Sequence, residues 1–103
     1  MSRQAEGNIS DQIIKTLNKH PYAKFIKNHG SAFTIVGEPD ISGCICGQHV
    51  VIETKADGEE PRKIQYKRLR EWERAGSIAI WATSVEEVVE KLKAKGINIK
   101  IGG

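Results

Sequence analysis

Two runs of alternating side chains, Asp40-Ile-Ser-Gly-Cys-Ile-Cys46 and His49-Val-Val-Ile-Glu-Thr-Lys55, flank Gly47-Gln48. Alternation of this kind marks strands, and a two-residue connection with glycine first suits a type II′ hairpin turn. With that turn Cys46 pairs with His49, Ser42 faces Glu53 and Asp40 faces Lys55. Successive side chains point to opposite faces of a strand, so Asp40, Ser42, Glu53 and Lys55 share one face. Ile41, Ile45, Val50 and Ile52 take the other. Cross-strand neighbours lie about 5 Å apart and diagonal ones about 7–8 Å, so a cation could sit between Asp40 and Glu53. Acids beside an ammonium also form ordinary surface ion pairs worth roughly 0–1 kcal/mol. That alternative explains less well why both acids lie on strands with an apolar reverse side.

The remaining pattern frames this hairpin. Ile9, Ile13 and Leu17 recur at helical spacing and predict a first helix from about Arg3 to Lys19, with Glu6 on the same stripe. Gly7 and Asn8 weaken its start by about 1 kcal/mol for the glycine. The helix could instead begin at Ser10, leaving Glu6 in a loop. Pro21 ends the helix. Tyr22 to Asn28 reads as an edge strand, and Phe33 to Val36 leads into the Gly37-Glu38-Pro39 corner, where proline fixes the chain before Asp40. Pro61 suits the first position of a second helix running to about Ala75, with Gly76 ending it. Gln65, Leu69 and Trp72 form its inward stripe. Ser77 to Ala82 reads as a buried strand and Ser84-Val-Glu-Glu87 as a capping box. Val85, Val88, Val89 and Leu92 line a third helix, and Ile97 to Ile101 alternate as a final strand. The order α-β-β-β-α-β-α-β makes an α/β domain, a mixed sheet flanked by helices.

At 103 residues the chain is one domain. A core of that size is limited, and a dimer would help bury apolar surface. Net charge is +3, a small excess with a marked distribution. Arg62, Lys63, Lys67, Arg68, Arg70 and Arg74 crowd the second helix, the footprint expected for a polyanion partner, unless Glu71 and Glu73 make it only a solvated face. The N-terminus lacks the apolar core of a secretory signal. The longest apolar stretch, Ile78 to Ala82, is far too short to span a membrane. A cytoplasmic protein is expected, in a host cell's cytoplasm if viral. Cys44 and Cys46 fit disulfide geometry poorly. With His49 they fall one ligand short of a zinc site, and are expected to be buried as small apolar side chains.

The pattern Gly37-Glu38-Pro39-Asp40-Ile41, then Ile52-Glu53-Thr54-Lys55, then Gln65 on the next helix resembles the PD-(D/E)XK nuclease superfamily. Within it the chain is most similar to the VRR-NUC (virus-type replication-repair nuclease) family, from about Glu6 to Leu92. The resemblance implies the family's nuclease core and a site made of Glu6, Asp40, Glu53, Lys55 and Gln65. Asp40, Glu53 and the backbone carbonyl of Thr54 would bind Mg²⁺, which takes oxygen ligands, with Mn²⁺ a possible substitute. Lys55 would position or activate water and bind the scissile phosphate. Gln65 would hydrogen-bond phosphate or water. Arg62, Lys63, Lys67 and Arg68 would contact flanking phosphates without reading sequence.

The expected activity is Mg²⁺-dependent endonucleolytic cleavage of branched or structured DNA by a homodimer, similar to phage-type Holliday-junction resolvases, with no small-molecule cofactor. Two alternatives remain: a flap- or sequence-preferring nuclease of the same superfamily, and a DNA-binding module that has lost catalysis. Intact Asp40, Glu53, Lys55 and Gln65 argue against the second.

Overall fold

The computed structural model describes residues 3–28 and 35–99, with side chains from residue 7 onward. Seven elements follow one another in the expected order: α1 (Arg3–Leu17), β1 (Ala23–Lys27), β2 (Ile41–Ile45), β3 (Gln48–Thr54), α2 (Lys63–Arg74), β4 (Ile78–Ala82) and α3 (Val85–Ala94). Ile35 and Val36 belong to no strand, and Phe33 and Thr34 lie outside the described residues. Ile97–Ile99 likewise form no ladder; the rest of the expected last strand lies outside the described residues.

The strands make one sheet in the order β1-β2-β3-β4. β1, β2 and β3 are antiparallel neighbours, and α2 carries the chain over to β4, which runs parallel to β3. Two antiparallel neighbours plus one crossover make the sheet mixed. The β1–β2 pairing extends past both strand ends: Cys46 N–H donates to the Tyr22 carbonyl at 2.9 Å, and Asn28 N–H to the Asp40 carbonyl at 2.6 Å.

α1 and α3 cover one face of the sheet. Ile13, Leu17, Phe25, Ile41, Ile45, Val50, Ile52, Ile80, Ala82, Val88 and Leu92 form the core there, as the apolar parity of the hairpin required. α2 covers the other face, with Leu69 and Gln65 buried beneath it. It begins two residues later than the Pro61 expectation. Arg62 is its N-cap, and Arg62 N–H donates to Gln65 Oε1 at 2.8 Å. Gly76 closes it with positive φ just past the cap Ala75, and Ser77 N–H reaches back to the Trp72 carbonyl at 3.0 Å, a Schellman ending. At α3 the Ser84 hydroxyl caps Glu87 N–H at 3.1 Å, while the Glu87 carboxylate accepts from Thr83 N–H at 2.6 Å, one residue outside the expected box.

The hairpin turn differs from the expectation. Ile45 pairs with Gln48 and Cys44 with His49, so the loop is Cys46-Gly47. Their φ values are +52° and +82°, both positive, as a type I′ turn requires. Ser42 therefore faces Val51, not Glu53, and Ile41 faces Ile52. One step on, Asp40 comes beside Glu53 instead of Lys55. The pairing moves by two residues, an even number, so every side chain keeps its face. The thiols of Cys44 and Cys46 are exposed, correcting their expected burial. Cys46 sits in the turn, where its Sγ lies 3.8 Å from His20 Nε2.

Candidate active site

The site lies where β2 begins and β3 ends. Its entry is the Gly37-Glu38-Pro39-Asp40 corner, fastened from several sides. Gly37 has φ +87°, and a Cβ there would stand 2.8 Å from Cγ1 of Ile64 on α2. Only glycine allows this approach. Glu38 accepts from Trp72 Nε1 at 2.7 Å. The Asn28 amide donates to the Pro39 carbonyl at 2.9 Å and accepts from the Ser42 hydroxyl at 3.1 Å. Asp40 thus starts its strand from a fixed corner.

Asp40 Oδ2 accepts two hydrogen bonds from Thr54: one from its backbone N–H at 2.9 Å, one from its hydroxyl. The Thr54 and Ser10 hydroxyls are 2.9 Å apart, which joins α1 to the same seam. Sequence reasoning assigned Thr54 only a backbone role and missed Ser10. The signal was present, since Ser10 stands at i, i+3, i+7 with Ile13 and Leu17, a polar residue on a buried stripe.

Glu53 is 2% exposed, Gln65 8% and Lys55 9%. Gln65 Nε2 donates to Glu53 Oε2 at 2.8 Å, and Lys55 Nζ lies 3.6 Å from the same oxygen. The Gln65 amide thereby ties the first turn of α2 to the end of β3, because its Oε1 also accepts the cap N–H of Arg62. Lys55 is held in line by its own N–H, which donates to the Ala82 carbonyl of β4 at 3.0 Å. The buried acid and ammonium offset each other's charge, and the acid also accepts the directed hydrogen bond from Gln65.

The structure therefore brings Asp40, Glu53, Thr54, Lys55 and Gln65 together. No third His, Cys, Asp or Glu joins the two carboxylates among the described residues. Glu6 is within α1 rather than in a loop, and its side chain lies outside the described residues. The basic residues separate into two groups. Arg62, Lys63 and Lys67 are exposed on α2. Arg68 is engaged: its guanidinium donates to both Glu71 carboxylate oxygens at 3.0 and 3.2 Å and to the Val36 carbonyl at 3.0 Å, with Glu38 at 3.7 Å. It clamps the corner to α2.

Two carboxylates from neighbouring strands, with a carbonyl between Glu53 and Lys55, form a hard-oxygen donor set suited to a small divalent cation. This α/β architecture is found in solved structures. One named "VRR_NUC domain" aligns at TM-score 0.71 and 15% identity, covering 86% of this chain and 95% of that one. A second, named "VRR_NUC domain protein", aligns at 0.66 and 16%, covering 91% and 89%. No family model matches the sequence, and no curated protein does. The chain has the VRR-NUC fold. Among the described residues no helix is long and apolar enough to cross a membrane.

Proposed function

We propose that this chain is a metal-dependent nuclease that hydrolyses phosphodiester bonds in branched DNA, acting as a homodimer. The observation that carries this reading is the meeting of Asp40 and Glu53 at one end of the β2–β3 hairpin, with Lys55 Nζ 3.6 Å from Glu53. Asp40, Glu53 and the Thr54 carbonyl would hold Mg²⁺, or Mn²⁺ in its place. When bound, the ion would lower the pKa of water and offset phosphate charge.

The chain's own residues do the rest. Thr54, itself bonded to Ser10, holds Asp40 through Oδ2, which would leave Oδ1 for the ion. Gln65 and Lys55 fix the Glu53 carboxylate through Oε2. The Lys55 ammonium would bind the scissile phosphate and orient the attacking water. One hydrogen of the Gln65 amide goes to Glu53, and the second is the one that would meet phosphate or water. Glu6, from the first turns of α1, would complete the site. Arg62, Lys63 and Lys67 would hold flanking phosphates, and such contacts position DNA without reading its sequence.

Dimerisation is supported by where apolar surface is left exposed. Tyr22, Ile26, Ile35 and Val36 are 75%, 53%, 58% and 70% exposed; Tyr22 and Ile26 lie beside or on β1, and Ile35 lines a cleft with Ile26. β1 is an edge strand of the described sheet, and an unpaired edge is a template for a second chain. A twofold dimer would present two equivalent sites to the two opposed strands of a four-way junction.

The test is cleavage of a cruciform plasmid with Mg²⁺ and with a chelator, alongside mass in solution by light scattering. A dimer gives linear plasmid early and nothing with chelator. A monomer yielding only nicked circles overturns the junction reading. No cleavage of branched, flapped or linear DNA would leave a catalytically silent binding module.

A further inference from the structure

The wall of the site formed by β4 carries an aromatic pair that the hydrolytic machinery does not use. Trp81 is the register partner of Glu53 in the parallel β3–β4 ladder, and register partners present their side chains on the same face of a sheet. Trp81 therefore stands beside the site on the side covered by α2. Tyr66, the residue after Gln65, meets it edge to face, with ring centroids 6.5 Å apart and planes at 90°. Both rings are half-buried. Lys91 reaches around the sheet edge from α3. Its Nζ donates to the Trp81 carbonyl at 2.5 Å and lies 4.8 Å from the centroid of a Trp81 ring.

The charge on α2 is distributed unequally about this pair. On the flank toward β1, Arg68 is bound up by Glu38 and Glu71, and Trp72 by Glu38. Toward β4 the residues one turn either side of Tyr66 are Lys63 and Arg70, both exposed. Cations that follow a backbone, interleaved with aromatic faces, are the way proteins hold unpaired nucleotides. A base inside a continuous duplex cannot reach such a face, because both its faces are already stacked.

Resting on the nuclease reading above, we propose that the Tyr66–Trp81 pair holds an unpaired base next to the scissile phosphate, stacked on one ring and edge-on to the other, with Lys63 and Arg70 holding the adjoining phosphates. The substrate class is DNA with nucleotides released from stacking at the cut site: a junction centre, a splayed arm or a flap. Every base has an aromatic face, so this preference is for unpaired structure and is indifferent to sequence.

The experiment measures binding in chelator, where cleavage cannot contribute. The probe is a labelled DNA duplex with two splayed single-stranded arms, compared with the same duplex whose arms carry abasic residues. Phosphate charge is identical in the two. The wild-type protein is expected to bind the base-bearing arms about 5- to 150-fold more tightly. Replacing Tyr66→Leu with Trp81→Leu should erase that ratio and leave the salt dependence of abasic-DNA binding unchanged. Tyr66→Phe with Trp81→Phe keeps the aromatic faces and should keep the ratio, which guards against loss through misfolding of the leucine variant. Equal binding of the two probes by the wild type overturns the proposal, as does an undiminished ratio in the leucine variant. Absence of cleavage with Mg²⁺ while the ratio persists would defeat the nuclease reading and leave the platform standing.

Discussion

The two faces of the sheet are buried to similar degrees by opposite means. Under α1 and α3 the packing is apolar apart from the buried Ser10–Thr54 pair, with Ile13, Ile41, Ile45, Val50, Ile52, Val88 and Leu92 at 0% exposure. Under α2, at the same end of the same strand, Glu53 is 2% exposed and Lys55 9%. The first face contributes stability through area removed from water. The second gives some of that stability up, because an isolated buried charge costs several kcal/mol and pairing only offsets it. Thr54 lies between the two: its parity points it at the apolar side, yet its hydroxyl joins Ser10 to Asp40. The lesson is that one face maintains the fold so that the other can keep acids aimed where an apolar core would be more stable.

The largest expected effect on stability lies on the apolar face. Ile52→Ala leaves a cavity between the sheet and its helices and should cost about 2–5 kcal/mol in denaturant unfolding. Its neighbour in sequence, Glu53, has the opposite profile: substitution there should change chemistry far more than the unfolding midpoint. A loss at Ile52 below about 1 kcal/mol would erase the contrast between the faces.

Next in size is the contrast within α2. Reversing Arg62, Lys63 and Lys67 together should weaken DNA binding evenly across sequences. It should also lower the slope of log affinity against log salt by up to about 3, near 0.9 for each phosphate no longer held. Arg68→Ala should leave that slope closer to wild type and lower cleavage instead, by loosening the corner that carries Asp40. Equal slope changes for both variants would show that Arg68 meets phosphate directly.

The smallest effect concerns Glu87. Burial pushes its carboxyl up, but the Thr83 N–H, the Lys91 ammonium and the Thr83 hydroxyl outweigh that and hold it below the ordinary value of 4.5. A carboxyl with a lowered folded-state pKa contributes stability above its unfolded value and loses it as pH falls through the folded one. Glu87→Gln should therefore flatten the loss of stability below about pH 4.5, by less than about 1 kcal/mol given its partial exposure. Parallel acid-unfolding curves for the two proteins would contradict this.

The sequence made the faces of the hairpin legible but not its turn. Gly47-Gln48 fits a type II′ turn on local chemistry, whereas the chain places Cys46 at φ +52°. Cysteine carries none of the local hydrogen bonding that marks asparagine or aspartate for such a position. The parity of Asp40 and Glu53 survived because the pairing moved by an even step. Gln65 was readable from its stripe with Leu69 and Trp72. Its double attachment, to Arg62 N–H and to Glu53, was not, because it depends on how the start of α2 meets the end of β3. Arg68 could not be told from its basic neighbours for the same reason: its partners Glu38 and Val36 are about 30 residues away in sequence.

The central claim is that Glu53 belongs to a metal site and is not simply one half of a buried ion pair. Glu53→Gln keeps the shape of the side chain and removes its charge. Calorimetric titration with Mg²⁺, run beside cleavage of branched DNA and with circular dichroism to confirm folding, tests this directly. The account predicts a folded protein that still binds DNA, takes up Mg²⁺ weakly or not at all, and cuts nothing. A Glu53→Gln protein that cleaves at the wild-type rate with unchanged Mg²⁺ affinity would contradict it.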